Sequence, residues 1–147
     1  MRKLLCVGVL AVIGGSSSCT STSRAANSSE VTPCHVPAEA KLVSDFDGMP
    51  PTLRAAIKNK VGDIVSPNEP FEATDVVVPG HTRHNRRLLF AWVLGDRWVV
   101  ATEHGGIGYN NPILAFNVNG DPPRAILVSE QISFPKSVCS TAEQLLH

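Results

Sequence analysis

Two runs of β-forming residues, separated by only two residues, place the strongest constraint on the fold of this chain. The runs are residues 86–94 and 97–103, and the residues between them are Gly95 and Asp96. A two-residue connection joins antiparallel strands, and glycine at its first position favours a type II′ turn. The sequence therefore predicts a β-hairpin whose register is set by this turn.

The turn predicts which side chains face each other across the hairpin. Both faces are apolar at their centres, whereas an antiparallel sheet usually leaves one face to solvent. We therefore expect a covering layer on each side, with the second supplied either by residues 71–79 and the C-terminal segment or by a partner protein. The predicted pairs are Trp92 with Val99, Phe90 with Ala101 and Leu88 with Glu103 on one face, and Val93 with Trp98, Ala91 with Val100, Leu89 with Thr102 and Arg87 with His104 on the other.

One helix and three further strands complete the expected fold. A helix is predicted over 51–61, because apolar residues recur every three or four positions, Pro51 suits a first helical turn and Gly62 suits the stop. Strands are predicted at 75–78, 112–118 and 124–132, and two prolines make the last turn longer than two residues. The predicted fold class is α+β, with one amphipathic helix packed on a four- to five-stranded antiparallel meander sheet.

Length and charge limit the number of domains and the classes of partner. The chain has 147 residues, with 13 Lys and Arg against 13 Asp and Glu, which suits one compact domain. A nucleic-acid-binding protein usually carries a basic excess, which is absent here. Arg86 and Arg87 do not form a basic patch, because adjacent strand residues point to opposite faces. No nucleic-acid partner is therefore expected.

The N-terminus has the layout of an export signal. Arg2 and Lys3 precede an uncharged apolar run over residues 4–13. As a helix this run would rise about 15 Å, which is half of a hydrocarbon core of roughly 30 Å and too short for a stable membrane span. Residues 1–18 are therefore predicted to be a signal peptide.

Small residues lead directly from the apolar run into Cys19. This arrangement resembles the cleavage and lipidation site of bacterial lipoproteins. The resemblance implies that Cys19 becomes a lipid-bearing N-terminus, which would hold the protein at a membrane of the cell envelope, in the outer membrane or the periplasm. Two alternatives stay open: cleavage after Ala25, which gives a secreted protein, and a retained N-terminus. Residues 19–33, in which Ser and Thr predominate, are expected to form a flexible tether.

Export would leave two ordinary thiols in the chain. Cys6 lies in the signal peptide and Cys19 is either lipidated or removed, so that Cys34 and Cys139 remain. Disulfides persist outside the cytoplasm, and we predict that these two cysteines are bonded. Two buried free thiols are the alternative. The bond would close a single α+β domain over residues 34–147.

The stretch from residue 104 to residue 111 is the most unusual part of the sequence. Its glycines permit positive φ and close approach of the backbone, and its N–H groups could surround an anion. It is interpreted either as an elaborate turn or as a binding loop. The residues predicted for a binding loop are His104, Gly105, Gly106, Gly108, Tyr109, Asn110 and Asn111.

A metal site in this region is not favoured. His81, His84, His104 and Glu103 are the available ligand types. Glu103 is predicted to point through the sheet away from His104, and Arg87 would repel a cation. No metal and no cofactor are therefore expected.

The sequence contains no recognisable nucleophile with its base and no cofactor motif. The leading hypothesis is a non-enzymatic envelope protein that binds or inhibits another envelope protein or a small ligand. One alternative is a small hydrolase with His104 as general base, its pKa lowered by Arg87 opposite and by partial burial. Another is a structural subunit that self-associates through Leu89, Val93 and Trp98.

Overall fold

The structure, a computed structural model, describes residues 34–74 and 84–147. The predicted signal peptide, Cys19, the predicted tether and the predicted strand 75–78 lie outside these residues. In chain order, the elements are β1 (Lys41–Val43), α1 (Pro51–Val61), β2 (Arg86–Leu94), β3 (Arg97–His104), β4 (Asn111–Asn119), β5 (Arg124–Ser133) and α2 (Val138–Leu146).

The strands form one antiparallel sheet in the order β1-β2-β3-β4-β5. The mixed α+β class is therefore correct, and four of the five strands were predicted close to their observed bounds. Two elements were not predicted: the three-residue β1 and the second helix, α2. Neither described helix is long and apolar enough to cross a membrane.

Helix α1 covers one face of the sheet and has the predicted bounds. Pro51 occupies its first turn, and Gly62 ends it with φ of +84° while donating its N–H to the Lys58 carbonyl at 2.8 Å. Leu53 and Ile57 are buried against the sheet. We call this side of the sheet the α1 face, and its core consists of Phe46, Met49, Leu53, Ile57, Ile64, Leu88, Ala91, Val100, Leu114 and Phe116.

Helix α2 covers the opposite side, the α2 face, together with side chains from residues 34–40. The C-terminal segment thus supplies part of the second layer, as predicted, whereas residues 34–40 were not expected there and residues 75–79 lie outside the described residues. This segment forms a helix because tertiary packing buries its apolar side, since a nine-residue helix is marginal alone. The core here consists of Phe90, Trp92, Val99, Ala101, Ile113, Ala115, Val138, Ala142, Leu145 and Leu146.

A disulfide between Cys34 and Cys139 confirms the predicted pairing, with the Cα atoms 5.4 Å apart. The bond joins the start of the described chain to the first turn of α2. This turn lies beside the last residue of β5, because the Ser133 and Ser137 hydroxyls are 2.8 Å apart. The other end of α2 lies beside the start of β3, where Arg97 Nε donates to the Leu145 carbonyl at 3.1 Å.

The hairpin register agrees with the prediction from the turn as far as Phe90 and Ala101. Gly95 has φ of +57°, and no described non-glycine residue has positive φ, which fits the predicted type II′ turn. A β-bulge at Leu89 then shifts the pairing by one residue. The three predicted pairs beyond it were therefore wrong, and the observed pairs are Leu88 with Thr102, Arg87 with Glu103 and Arg86 with His104.

The bulge also divides the surface predicted for self-association. Leu89 packs on the α2 face, whereas Trp98 packs against the core of the α1 face. The two side chains therefore do not form one apolar surface with Val93.

Candidate functional site

Four neighbouring strands each place one polar residue in a single row on the α2 face. Arg87 is paired with Glu103, and Asn111 with Ser133. Glu103 lies opposite Asn111, because the β3–β4 register continues from Ala101 and Ile113 to the bridge between His104 and Asn110. We call Arg87, Glu103, Asn111 and Ser133 the polar row.

Glu103 is the centre of the row and is completely buried. Its Oε2 accepts hydrogen bonds from Nε and Nη2 of Arg87, at 3.0 and 2.5 Å, and its Oε1 accepts one from the Tyr109 hydroxyl. The Arg87 guanidinium also lies over the Phe71 ring, 4.7 Å from its centroid. A buried carboxylate is tolerated only when paired and hydrogen-bonded, and these contacts meet that condition.

The other half of the row contains only neutral groups. Asn111 is fully buried and donates from Nδ2 to the Thr102 carbonyl at 3.4 Å, while no described residue donates to its Oδ1. The Ser133 hydroxyl contacts the hydroxyls of Ser137 and Thr141, at 2.8 and 3.3 Å. Among the described residues, no hydrogen bond joins the Ser133 hydroxyl to an imidazole or carboxylate that could activate it as a nucleophile.

The glycine loop, residues 105–110, connects β3 to β4 and is fixed to the body of the domain. His104 and Asn110 close its base by exchanging backbone hydrogen bonds of 2.9 and 3.2 Å. Gly105 packs directly against the backbone at Glu72. A Cβ added at Gly105 would be 2.1 Å from the Glu72 carbonyl oxygen. Tyr109 ties the far side of the loop to buried Glu103.

Besides the N–H of Asn110, two further N–H groups of the loop are already used within the protein. Gly105 donates to the Asn85 carbonyl at 2.8 Å and Gly106 to the Ala73 carbonyl at 3.2 Å. An anion bound by backbone groups, as the sequence suggested, could therefore not use these two donors. What the loop presents outward is its tip, where the Ile107 side chain is 90% exposed.

His104 lies on the opposite side of the sheet from Glu103. Its neighbour across the hairpin is Arg86 rather than the predicted Arg87. Partial burial lowers the pKa of His104 below its ordinary value of 6.5, and the positive charge of Arg86 lowers the pKa further. Within the described ranges, no hydrogen bond joins its imidazole to a hydroxyl or carboxylate, so these residues provide no acid–base pair there.

The structure brings together Tyr109 and Asn111, two of the predicted loop residues, around partners that the sequence analysis did not assign to the site. Those partners are Arg87, Glu103 and Ser133. The sequence does show a polar residue near the end of each apolar strand, and this pattern could have indicated the row. The bulge at Leu89 cannot be read from the sequence, however, and without it Arg87 is not paired with Glu103. In residues 34–74 and 84–147, no three His, Cys, Asp or Glu side chains form a group suited to a metal ion.

Comparisons of this chain with protein-family models, with curated proteins and with solved structures gave no match.

Proposed function

We propose that this chain is exported, is held in the cell envelope by lipid on Cys19, and acts there as a non-enzymatic binding module whose recognition surface is the glycine loop. The main support for binding is the difference between the tip and the base of the loop. Its tip exposes an isoleucine, while its base is fastened to buried groups. An apolar side chain held outward on a supported loop is suited to contact with another molecule.

The support beneath the loop favours recognition because it reduces the entropy lost on binding. A loop already held in one conformation has less to lose when it contacts a partner. Here Tyr109 is bonded to a buried carboxylate and Gly105 is packed against the backbone at Glu72. Neither contact depends on a partner.

The disulfide supports the export proposal. A bond between Cys34 and Cys139 is stable in an oxidising compartment and rare in the cytoplasm. It agrees with the basic start and apolar run at the N-terminus, which are typical of exported chains. The hydrolase alternative lacks a comparable observation, because the His104 ring has no catalytic partner among the described residues.

The lipid anchor is tested by replacing Cys19 in the full-length chain. After expression in a Gram-negative bacterium, wild-type protein should sediment with membranes and incorporate labelled palmitate. Cys19→Ala should lose both properties, whereas the matched control Cys6→Ala should keep them. A Cys19→Ala protein that still incorporates palmitate in the membrane fraction would refute the anchor.

The recognition surface is tested with a photo-crosslinking amino acid at position 107. The matched control carries the same amino acid at Asn59, an exposed position in α1. Irradiation of host cells should give a discrete adduct, with a protein or with a lipid, from position 107 and not from position 59. Equal, diffuse labelling from both positions would show that the loop tip is not a recognition surface.

A further inference from the structure

Among the residues that the structure describes, three large apolar side chains are exposed at the end of the sheet that carries the glycine loop, which we call the loop end. Ile107 is at the loop tip, Ile132 is near the end of β5, and Phe134 follows that strand. Phe134 and Ile132 are each 65% exposed. Because β4 and β5 are adjacent and Asn111 is paired with Ser133, all three side chains lie at the same end of the sheet.

The chain that leads to the proposed lipid anchor departs from this same end. Cys34 is bonded to Cys139 in the first turn of α2, and that turn lies against Ser133. Only residues 20–33 separate Cys34 from Cys19, and they reach at most about 50 Å when fully extended. A lipid on Cys19 would therefore tether the domain through its loop end, so that this end is the attachment point nearest to the anchor along the chain.

The charges at the loop end suit contact with a bilayer. Two of the segments that meet there, residues 104–112 and 131–142, contain no Asp or Glu and include one lysine, Lys136, which is exposed. The chain beside the loop adds one acidic residue, Glu72, and one arginine, Arg86. Glu72, beside Gly105, accepts a hydrogen bond from the Thr74 hydroxyl. Where apolar side chains lie beside a lysine, the apolar side chains can be buried in the bilayer while the lysine stays among anionic headgroups.

We propose that the loop end docks on the bilayer surface, with Ile107 and Phe134 inserted between lipids and Lys136 at the headgroups. The inference rests on the lipid anchor of the proposed function and names the partner of the same surface. Attachment through a short segment raises the local concentration of bilayer, so weak insertion by a few side chains suffices. A protein partner at this surface is the competing outcome.

The test places a tryptophan at each end of the sheet in the full-length, mature chain. Ile107→Trp and Phe134→Trp report on the loop end. Asp96→Trp, in the turn between β2 and β3, is the matched control at the opposite end. Each protein is reconstituted on phosphatidylcholine–phosphatidylglycerol vesicles that contain brominated lipid, and quenching is measured relative to wild type, whose own tryptophans are Trp92 and Trp98.

We expect quenching at positions 107 and 134 to be at least twofold greater than at position 96, with a blue-shifted emission. The Cys19→Ala chain, tested by vesicle flotation, separates the two proposals. If wild type and Cys19→Ala float equally poorly, the proposed lipid anchor is refuted, and the proposed docking is refuted with it. If wild type alone floats but all three tryptophans are quenched equally, only the docking is refuted. A protein adduct from position 107 on the anchored chain, without quenching there, would likewise refute it and identify the partner as a protein.

Discussion

Replacing Glu103 with glutamine removes one negative charge from the centre of the polar row and keeps the shape of the side chain. The Tyr109 hydroxyl can still donate to the amide oxygen at Oε1. Arg87, in contrast, loses the carboxylate that accepts both of its hydrogen bonds. Glu103→Gln therefore leaves the guanidinium without its counter-charge and places an amide N–H group, which cannot accept its hydrogen bonds, where Oε2 was.

The magnitude follows from the burial of the two partners. Removing one member of a buried ion pair costs about 3–5 kcal/mol. The Glu103 side chain is completely buried, whereas the Arg87 side chain is 16% exposed and can recover some hydration. We therefore expect Glu103→Gln to lower the free energy of unfolding by about 3 kcal/mol, at the lower end of that range.

Urea unfolding followed by circular dichroism measures this loss. Glu130→Gln is the matched control, because the ion pair between Lys60 and Glu130 is more than one-third exposed on both sides and should contribute less than about 1 kcal/mol. The double variant Arg87→Met with Glu103→Met should recover much of the stability, since it leaves no unpaired charge. If Glu103→Gln costs no more than Glu130→Gln, the proposed role of the buried pair is wrong.

Three further predictions concern the loop, the disulfide and the pH dependence of stability. Gly105→Ala should cost about 2–3 kcal/mol in the same unfolding assay, because its Cβ would overlap the Glu72 carbonyl; an unchanged stability would contradict the observed close approach. Replacing Cys34 and Cys139 together with serine should cost on the order of 4–5 kcal/mol, from the loop of about a hundred residues that the bond closes; retention of wild-type stability would contradict this estimate. Because the pKa of His104 is lowered in the folded state, the unfolded state takes up a proton first as pH falls below 6.5. Stability should therefore decrease below that pH, and His104→Gln should reduce this dependence in unfolding curves measured from pH 7.5 to pH 5; an identical dependence would contradict the assigned role of His104.

Much of the fold could be predicted because its signals are local. Helix α1 is marked by apolar spacing, a proline and a glycine, and the hairpin of β2 and β3 is marked by Gly95 and Asp96. The missed elements lack such signals. Strand β1 has only three residues, and α2 is a short helix whose stability comes from burial of its apolar side and from attachment to Cys34.

The candidate site was harder to predict because it depends on register across several strands. A bulge adds one residue to one strand and changes the face of every residue beyond it. The bulge at Leu89 moved Arg87 from His104 to Glu103, so the buried ion pair could not be derived from the turn. The glycine loop was recognised from its composition, but its contacts with Glu72 and Ala73 join segments that are distant in sequence.

The most direct test of the central claim is the intact mass of the mature protein from its native host, measured after alkylation with and without reductant. We expect a chain that begins at Cys19, carries acyl groups, and adds alkyl groups at Cys34 and Cys139 only after reduction. A chain that begins at Met1 and is alkylated at both late cysteines without reduction would show that the protein is neither processed at Cys19 nor closed by the disulfide.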